Sequence, residues 1–582
     1  MQINALERLQ RFVSKPGGQV FFIILTLAVS LLIRILLFRY NGNYIDENNF
    51  RAWYNTAATK GLYNFYDSTW SDYPPFSIYI FWLFGKLAHI IGPGSLGLLI
   101  KLPQNLFDLA TAYLIFRFVR QRYSYLFALG AMAVYALNPA TIFDLAVWGQ
   151  MDSVYTFFMV ASLYAVLRFR YELSGGLFAL AILTKPQSVV LLPVLAYLML
   201  RNGGWKRAIS SAVVFFILIL LLILPFHWHN PITFLIDRYG VGYNLYPSNS
   251  INAYNFWALL GFWKPDTVPH LGLSYQTWGT IAFLIFAGFV MWQFHRKPSG
   301  RAPIFAVFLL MFGFFMMMTR MHERYLFPVF ALLAIGFSPR YPPWLYVGLM
   351  GTFFANVAYV LSVLNASKFI PDDHWSIYVL VPINAVLFLY AIWSFWRMQH
   401  ATEIEGEPPE IPRGPPETKL HEEDAREIFL SESKAEAAEE EPSSPVPKVP
   451  IPWKHALILA LLIAIFLGVS VWNLGDRKVP SSNWLAQRDP EEVYVDLGTT
   501  TLVEKVWVLV ADDNTVNVDI YWGSPGNWTY QANITESSVW FKWDSRDLNR
   551  DTRYVRLLFK NTTARIGEIA LFTDGPKLNI SS

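Results

Sequence analysis

Apolar positions in this chain come in long unbroken runs, separated by short polar stretches and by clusters of arginine. The runs are Val20–Phe38, Leu102–Val119, Leu126–Phe143, Ser153–Leu167, Leu173–Leu183, Val189–Leu200, Ala208–Phe226, Thr277–Phe294, Pro303–Met318, Tyr325–Phe337, Trp344–Leu364, Ile377–Trp396 and His455–Val471. Most approach the length a helix needs to cross a bilayer, roughly 20 residues. They predict a polytopic α-helical membrane protein of about thirteen transmembrane helices. Leu173–Leu183 and Val189–Leu200 are short, and Lys185-Pro186-Gln187 between them predicts a kinked pair.

The run Phe76–Ile91 is ambiguous, because it contains Gly85, Lys86 and His89. If it lies in the interface rather than crossing, every arginine cluster falls on one side of the membrane. Arg8, Arg11 and Lys15 then share the cytoplasm with Arg117, Arg120, Arg168, Arg170, Arg201, Arg296, Arg340 and Arg397, as the positive-inside rule requires. We therefore expect a cytoplasmic amino terminus and an interfacial helix at Phe76–Ile91.

Past the helices the pattern changes twice. Residues 399–450 are rich in Glu and Pro and nearly free of aromatics. Such a segment cannot bury enough surface to fold, and reads as a disordered cytoplasmic linker after a transmembrane domain spanning 1–398. A further span at 455–473 leads outward to residues 481–582. There the period becomes two, as in Val493–Leu497, Val506–Val510 and Val516–Tyr521, which predicts a small extracytoplasmic β-sandwich. Asn527, Asn533, Asn561 and Asn579 each begin an Asn-X-Ser/Thr glycosylation pattern, in keeping with that location.

Composition narrows the picture. The 582 residues are 54% hydrophobic and include 22 Trp. The net charge of +3 and the lack of a basic tract give no footprint for nucleic acid. The chain has no cysteine, which excludes disulfides and thiolate metal sites. The first run is too long for a cleaved leader and reads as a retained helix.

Under this topology the unusual polar residues gather at the outer face. They are Asp46, Glu47 and Arg51 after the first span, then Asp72 and Tyr73. Trp148, Gln150 and Asp152 form an outer turn, Lys185 and Gln187 flank the kink, and His322, Glu323 and Arg324 follow Phe312–Met318. Each has a plainer account. Tyr73 and Trp148 suit an interfacial aromatic belt, Lys185 can snorkel, and His322-Glu323-Arg324 can be a salt-bridged cap. His227-Trp228-His229 has the alternation of a metal site but reads better as an interfacial loop.

Together the residue types fit one chemistry. A carboxylate accepts the proton of an attacking hydroxyl, and cations hold a phosphate as it leaves. That is glycosyl transfer from a lipid-linked sugar phosphate, with membrane lipid carrying the donor.

The same stretches resemble the GT-C superfamily of polyprenyl-phosphate-sugar-dependent glycosyltransferases. The likeness is greatest to the branch of the dolichyl-phosphate-glucose glucosyltransferases and their prokaryotic relatives. Asp46 with Arg51 five and Trp53 seven residues on, Asp72-Tyr73-Pro74-Pro75, and His322-Glu323-Arg324 carry it. Trp148-Gly149-Gln150-Met151-Asp152 and Thr184-Lys185-Pro186-Gln187 look like motifs of the prokaryotic members. The branch's second acid is here Asn48, with Glu47 one residue earlier. The resemblance implies an inverting hexosyl transfer with Asp46 as general base. It implies that His322 and Arg324 contact the donor phosphate, that a glycan or lipid-linked oligosaccharide is the acceptor, and that no cofactor is needed. Adjacent Asp46 and Glu47 leave a divalent metal open. The motif variants and the lack of Cys favour a prokaryotic plasma membrane. The tail from Glu492 to Phe572 resembles the discoidin fold through Val495–Gly498, Arg553–Leu557 and Ile566–Ile569, with Trp528, Trp540 and Trp543 as candidate sugar-stacking or core residues.

Two other readings stay open. A transporter or flippase of lipid-linked saccharide would also place acids and cations near the membrane, but it predicts internal repeats and mid-membrane helix breaks. A transferase using lipid diphosphate donors differs only in its donor.

Overall fold

The computed structural model describes residues 16–298, 300–336, 344–365, 374–400, 484, 488–510, 516–536, 542–560 and 566–572. The chain divides into two compact units, one helical and one holding the C-terminal strands. The basic residues ahead of the first span, most of the acidic linker, the run His455–Val471, Trp540, Asn561 and Asn579 lie outside the described residues.

The apolar runs read from the described part of the sequence are largely helical, with Tyr325–Pro328 in turns ahead of the eight-residue helix Val329–Gly336. Among the described residues, five helical segments are long and apolar enough to cross a membrane, namely Pro16–Leu37, Pro186–Ile223, Tyr275–Arg296, Trp344–Asn365 and Ile377–His400. The pair Tyr125–Ala136 and Pro139–Trp148, bent by 41°, makes a sixth if it is one broken span. Pro75–Ile91, Asp152–Leu167, Tyr171–Thr184 and Ala302–Met317 are apolar but shorter. The kink falls where expected. Lys185 is extended ahead of Pro186, at φ −151° and ψ 129°, because a residue before proline is driven out of the helical region.

Buried charges cross-link the helices. Arg34, fully buried on the first helix, pairs with Asp108 of Leu96–Arg120. Asp108 also accepts from Tyr135 at 2.6 Å, and Arg34 donates to the Ala136 carbonyl at 2.8 Å. A buried charge pair of this kind relies on such added hydrogen bonds, although Arg34 Nε has no partner among the described residues.

Close backbone approach sets the shape around the polar region. A Cβ on Gly42 would lie 2.3 Å from the Trp148 carbonyl oxygen, and one on Gly85 would lie 2.3 Å from that of Tyr54. The second approach presses Pro75–Ile91 onto Tyr44–Lys60. Phe50, Trp53, Tyr73 and Phe81 pack between them with ring centroids 5.4–6.0 Å apart.

A partly buried loop at residues 248–266 is held by its asparagines. Asn249 Nδ2 donates to the carbonyls of Trp257 and Gly261, and Asn255 Nδ2 to those of Phe315 and Met318. Asp266 takes a two-pronged bond from Arg320, at 2.7 and 3.1 Å. Ile251 N–H then reaches the Met321 carbonyl at 2.9 Å. This clamp fixes the chain leading into His322.

The C-terminal unit is built of strands, as the alternating pattern predicts. Its described strands form one five-stranded antiparallel sheet in the order Asn527–Glu536, Val516–Ser524, Lys542–Phe559, Glu491–Val510, Ile566–Phe572. The runs Val493–Leu497 and Val506–Val510 belong to a single 20-residue strand. It pairs with the 18-residue strand Lys542–Phe559 from Glu491 to Val510, with register shifts between Asp496 and Thr501 and between Val503 and Lys505. Val503, Val506, Val518, Val555 and Leu557 form its core. Of the glycosylation patterns, Asn527 is exposed, whereas the Asn533 amide is engaged by Asn517 and Asp519 at 2.7 and 2.8 Å.

Candidate active site

Asp46 occupies the first turn of the helix Tyr44–Lys60. Asn43 caps that helix, its side chain accepting from the N–H groups of Ile45 and Asp46 at 3.1 and 3.3 Å. A carboxylate there is favoured by the helix dipole. Trp148 Nε1 donates to Asp46 Oδ2 at 2.8 Å, and Gln150 Nε2 donates to the same oxygen at 3.0 Å. Oδ1 takes no hydrogen bond from the described residues, and the side chain is half-buried. Asp46 is thus oriented through one oxygen and open at the other.

The Trp148–Gln150 turn is rigid for reasons the chain makes plain. A six-residue π-helical stretch, Phe143–Trp148, ends in Gly149 at φ +90°, a left-handed conformation suited to glycine. The N–H groups of Gly149 and Gln150 both reach the Asp144 carbonyl, at 3.0 and 3.1 Å. The buried polar face of Leu96–Arg120 grips the turn from below. Lys101 Nζ donates to the carbonyls of Tyr40 and Val147, and Gln104 Nε2 to that of Gly149 at 3.1 Å.

Beside this turn lies a cluster of buried charges. Lys185 Nζ donates to Asp152 Oδ1 at 2.7 Å. It also lies over the rings of Tyr73, Tyr155 and Tyr325, at 6.0, 5.6 and 5.5 Å from their centroids. Arg324 joins the two halves of the site. It pairs with Glu323 at 2.7 Å, sits over the Trp148 ring at 5.9 Å, and its Nε approaches Asp152 Oδ2 to 3.6 Å. Asp72 precedes the helix Pro75–Ile91. Burial pushes its carboxyl up, opposed by its own backbone N–H and by Arg324 and Lys185. Burial also raises Glu323, with Arg324 opposing. His322 is held well below its ordinary value, first by burial and then by Arg324 and Lys185, and so stays neutral.

Many buried polar atoms here have no hydrogen-bond partner among the described residues. They are Asp72 Oδ1, both carboxylate oxygens of Asp144, Asp152 Oδ2, Tyr155 Oη, Gln187 Oε1 and Arg324 Nε. Leaving such groups unpaired is costly, and a ligand rich in hydroxyls and phosphate oxygens would pair them.

The structure therefore brings together Asp46, Asp72, Tyr73, Trp148, Gln150, Asp152, Lys185, His322, Glu323 and Arg324. Gln187 is linked to them only through its place in the chain two residues after Lys185, its Oε1 buried without a partner among the described residues. Glu47 and Arg51 stand apart, paired with each other at 2.6 Å on the flank of their helix. With Glu47 turned to Arg51 and Asp46 to Trp148 and Gln150, the two acids do not converge on a metal. Among the described residues, no group of three or more His, Asp or Glu is placed to hold a metal ion. His227 instead accepts from the Asn230 N–H at 3.2 Å, and the Trp228 ring packs on that of His229 at a tilt of 38°. Sequence reasoning missed Asp144, Lys101, Tyr155 and Tyr325. For Asp144 and Lys101 the signal was present, since an ionisable residue beside an apolar run asks for a reason.

Residues 70–320 match the profile of Glycosyltransferase family 87. The matched stretch contains Asp72, the Trp148–Asp152 turn and Lys185; Asp46 lies before it and His322 just after it. No curated protein matches the chain. Among solved structures, the arabinosyltransferase EmbB from Mycobacterium smegmatis is similar at a TM-score of 0.34 and 11% identity. The alignment covers 97% of this chain and 65% of that one. The family match and the spanning helices support a membrane glycosyltransferase.

Proposed function

We propose that the protein transfers a hexose from a polyprenyl-phosphate donor to a glycan or lipid-linked oligosaccharide, with inversion, at the outer face of a prokaryotic plasma membrane. The observation that carries this reading is the meeting of three things in one place. An acid open at one oxygen, Asp46, faces a buried cluster of cations, Lys185 and Arg324, amid unpaired buried polar atoms.

In this reading the open Oδ1 of Asp46 takes the proton of the acceptor hydroxyl. The hydroxyl oxygen bonds to the anomeric carbon from the face opposite the phosphate. The bond from that carbon to the phosphate oxygen breaks, and the electron pair leaves with the lipid phosphate. Arg324 and Lys185 offset the charge that builds on it, and neutral His322 offers an N–H donor. The tyrosines around Lys185 keep water from that cation and strengthen its field.

Incubating the purified chain with a panel of polyprenyl-phosphate sugars and an acceptor extract tests the proposal. One donor should yield free lipid phosphate and a glycosylated product. Lipid diphosphate donors should yield none. Release from no monophosphate donor would remove this reading.

A further inference from the structure

Four acids, Asp72, Asp144, Asp152 and Glu323, and two cations meet beside Asp46, and they do not pair off completely. Lys185 is bound to Asp152 and Arg324 to Glu323. Asp72 and Asp144 are left over, and of the two only Asp144 has both carboxyl oxygens buried without a partner among the described residues. Asp144 is fully buried in the π-helical stretch Phe143–Trp148. It lies in the field of Asp152, Arg324, Lys185 and Glu323, so it belongs to the same cluster.

The plain account of a buried carboxylate is structural, but a structural carboxylate makes bonds. Here the backbone of Asp144 does that work, its carbonyl holding Gly149 and Gln150, while the side chain holds nothing. A single extra residue wound into a helix, as in a π turn, recurs at functional sites. The chemistry of the missing ligand is constrained. A phosphate would be repelled by Asp144 and its acidic neighbours. A metal ion would want several converging acids or histidines, and the described residues supply no such group. Neutral hydroxyl donors fit, because a carboxylate accepts two O–H bonds side by side.

We infer that Asp144 accepts hydrogen bonds from hydroxyl groups of the donor's sugar and so helps to decide which sugar is transferred. The inference rests on the reading of the site given above. It makes Asp144 a specificity residue, separate from the base and from the phosphate contacts.

The test uses the full chain in detergent, with Asp144→Asn and Asp144→Leu beside the wild type. Binding is measured for sugar-free polyprenyl phosphate and for polyprenyl-phosphate glucose, mannose and galactose. All three proteins should bind the sugar-free lipid equally. Wild type should prefer one sugar, and Asp144→Leu should lose about 10- to 100-fold on that lipid alone, with Asp144→Asn between. Unliganded Asp144→Asn should melt no lower than wild type, since the carboxyl it replaces has no hydrogen-bond partner to lose. Equal loss for sugar-free and sugar-bearing lipid, or no loss for either, overturns the inference and leaves the proposed transfer standing. A wild type that binds none of these lipids overturns both.

Discussion

The indole N–H of Trp148 meets the carboxylate of Asp46 at 2.8 Å, across 102 positions of sequence. With Gln150 on the same oxygen, it fixes which lone pairs of Asp46 remain available. Replacing Asp46 by Asn keeps the shape and removes the basicity. Turnover should fall by roughly 10²–10⁴, while binding of polyprenyl phosphate stays within a few-fold of wild type. Trp148→Phe keeps the base and loses its orientation, so kcat should drop about tenfold with KM little changed. An Asp46→Asn protein working near the wild-type rate would end the assignment of the base.

Gly42 is the least conspicuous residue the site depends on. A methyl group there would sit 2.3 Å from the backbone oxygen of Trp148, and a backbone atom cannot step aside as a side chain can. Gly42→Ala should lower stability by about 1–3 kcal/mol and disturb the Trp148–Asp46 bond. Thermal melting in detergent and the transfer rate should both fall. A variant that melts and turns over like the wild type would show that the two segments separate without cost.

Much of the helical unit was legible because its signal is local. Long apolar runs give helices in any tertiary context, and Lys185-Pro186 gives a break because proline constrains its predecessor. The polar stretches were legible as a group for a similar reason: acids and cations at the ends of apolar runs need an explanation. What the sequence hid depends on long-range packing. Nothing local in Leu96–Arg120 says that Lys101 and Gln104 grip the turn at Gly149, or that Arg34 finds Asp108. The Asn-held loop at 248–266 was silent because its bonds run to carbonyls, which every residue has. In the tail, alternation showed strands but not their length, so one long strand looked like two.

Lys185 and Asp152 should behave as a unit. Both are buried, and their charges meet at 2.7 Å. Removing one partner leaves the other uncompensated, at a cost of about 3–5 kcal/mol. Lys185→Met and Asp152→Asn should each melt well below wild type. The double variant should recover much of that loss, because neither charge remains. It should stay inactive, since the cation beside the phosphate is gone. Additive destabilisation in the double variant would show that the pair is not coupled.

His322 gives the clearest pH signature. Its ordinary value is 6.5, and in the folded protein burial, Arg324 and Lys185 hold it well below that. As pH falls through 6.5 the unfolded chain takes up a proton that the folded chain refuses. The unfolded state then binds more protons, so this residue's contribution to stability declines on acidification. Asp72 and Glu323 act in the opposite sense. Their raised values let the folded state take up protons first, so acidification through their folded values adds stability. A melting curve of wild type alone mixes these effects, and His322→Asn separates them by removing only the first. Between pH 7.5 and 5.5 the stability of wild type relative to His322→Asn should fall by about 1.4 kcal/mol. A difference that stays constant over this window, or grows in favour of wild type, would mean that His322 is charged in the folded protein. It would then meet the leaving phosphate as a third cation beside Lys185 and Arg324.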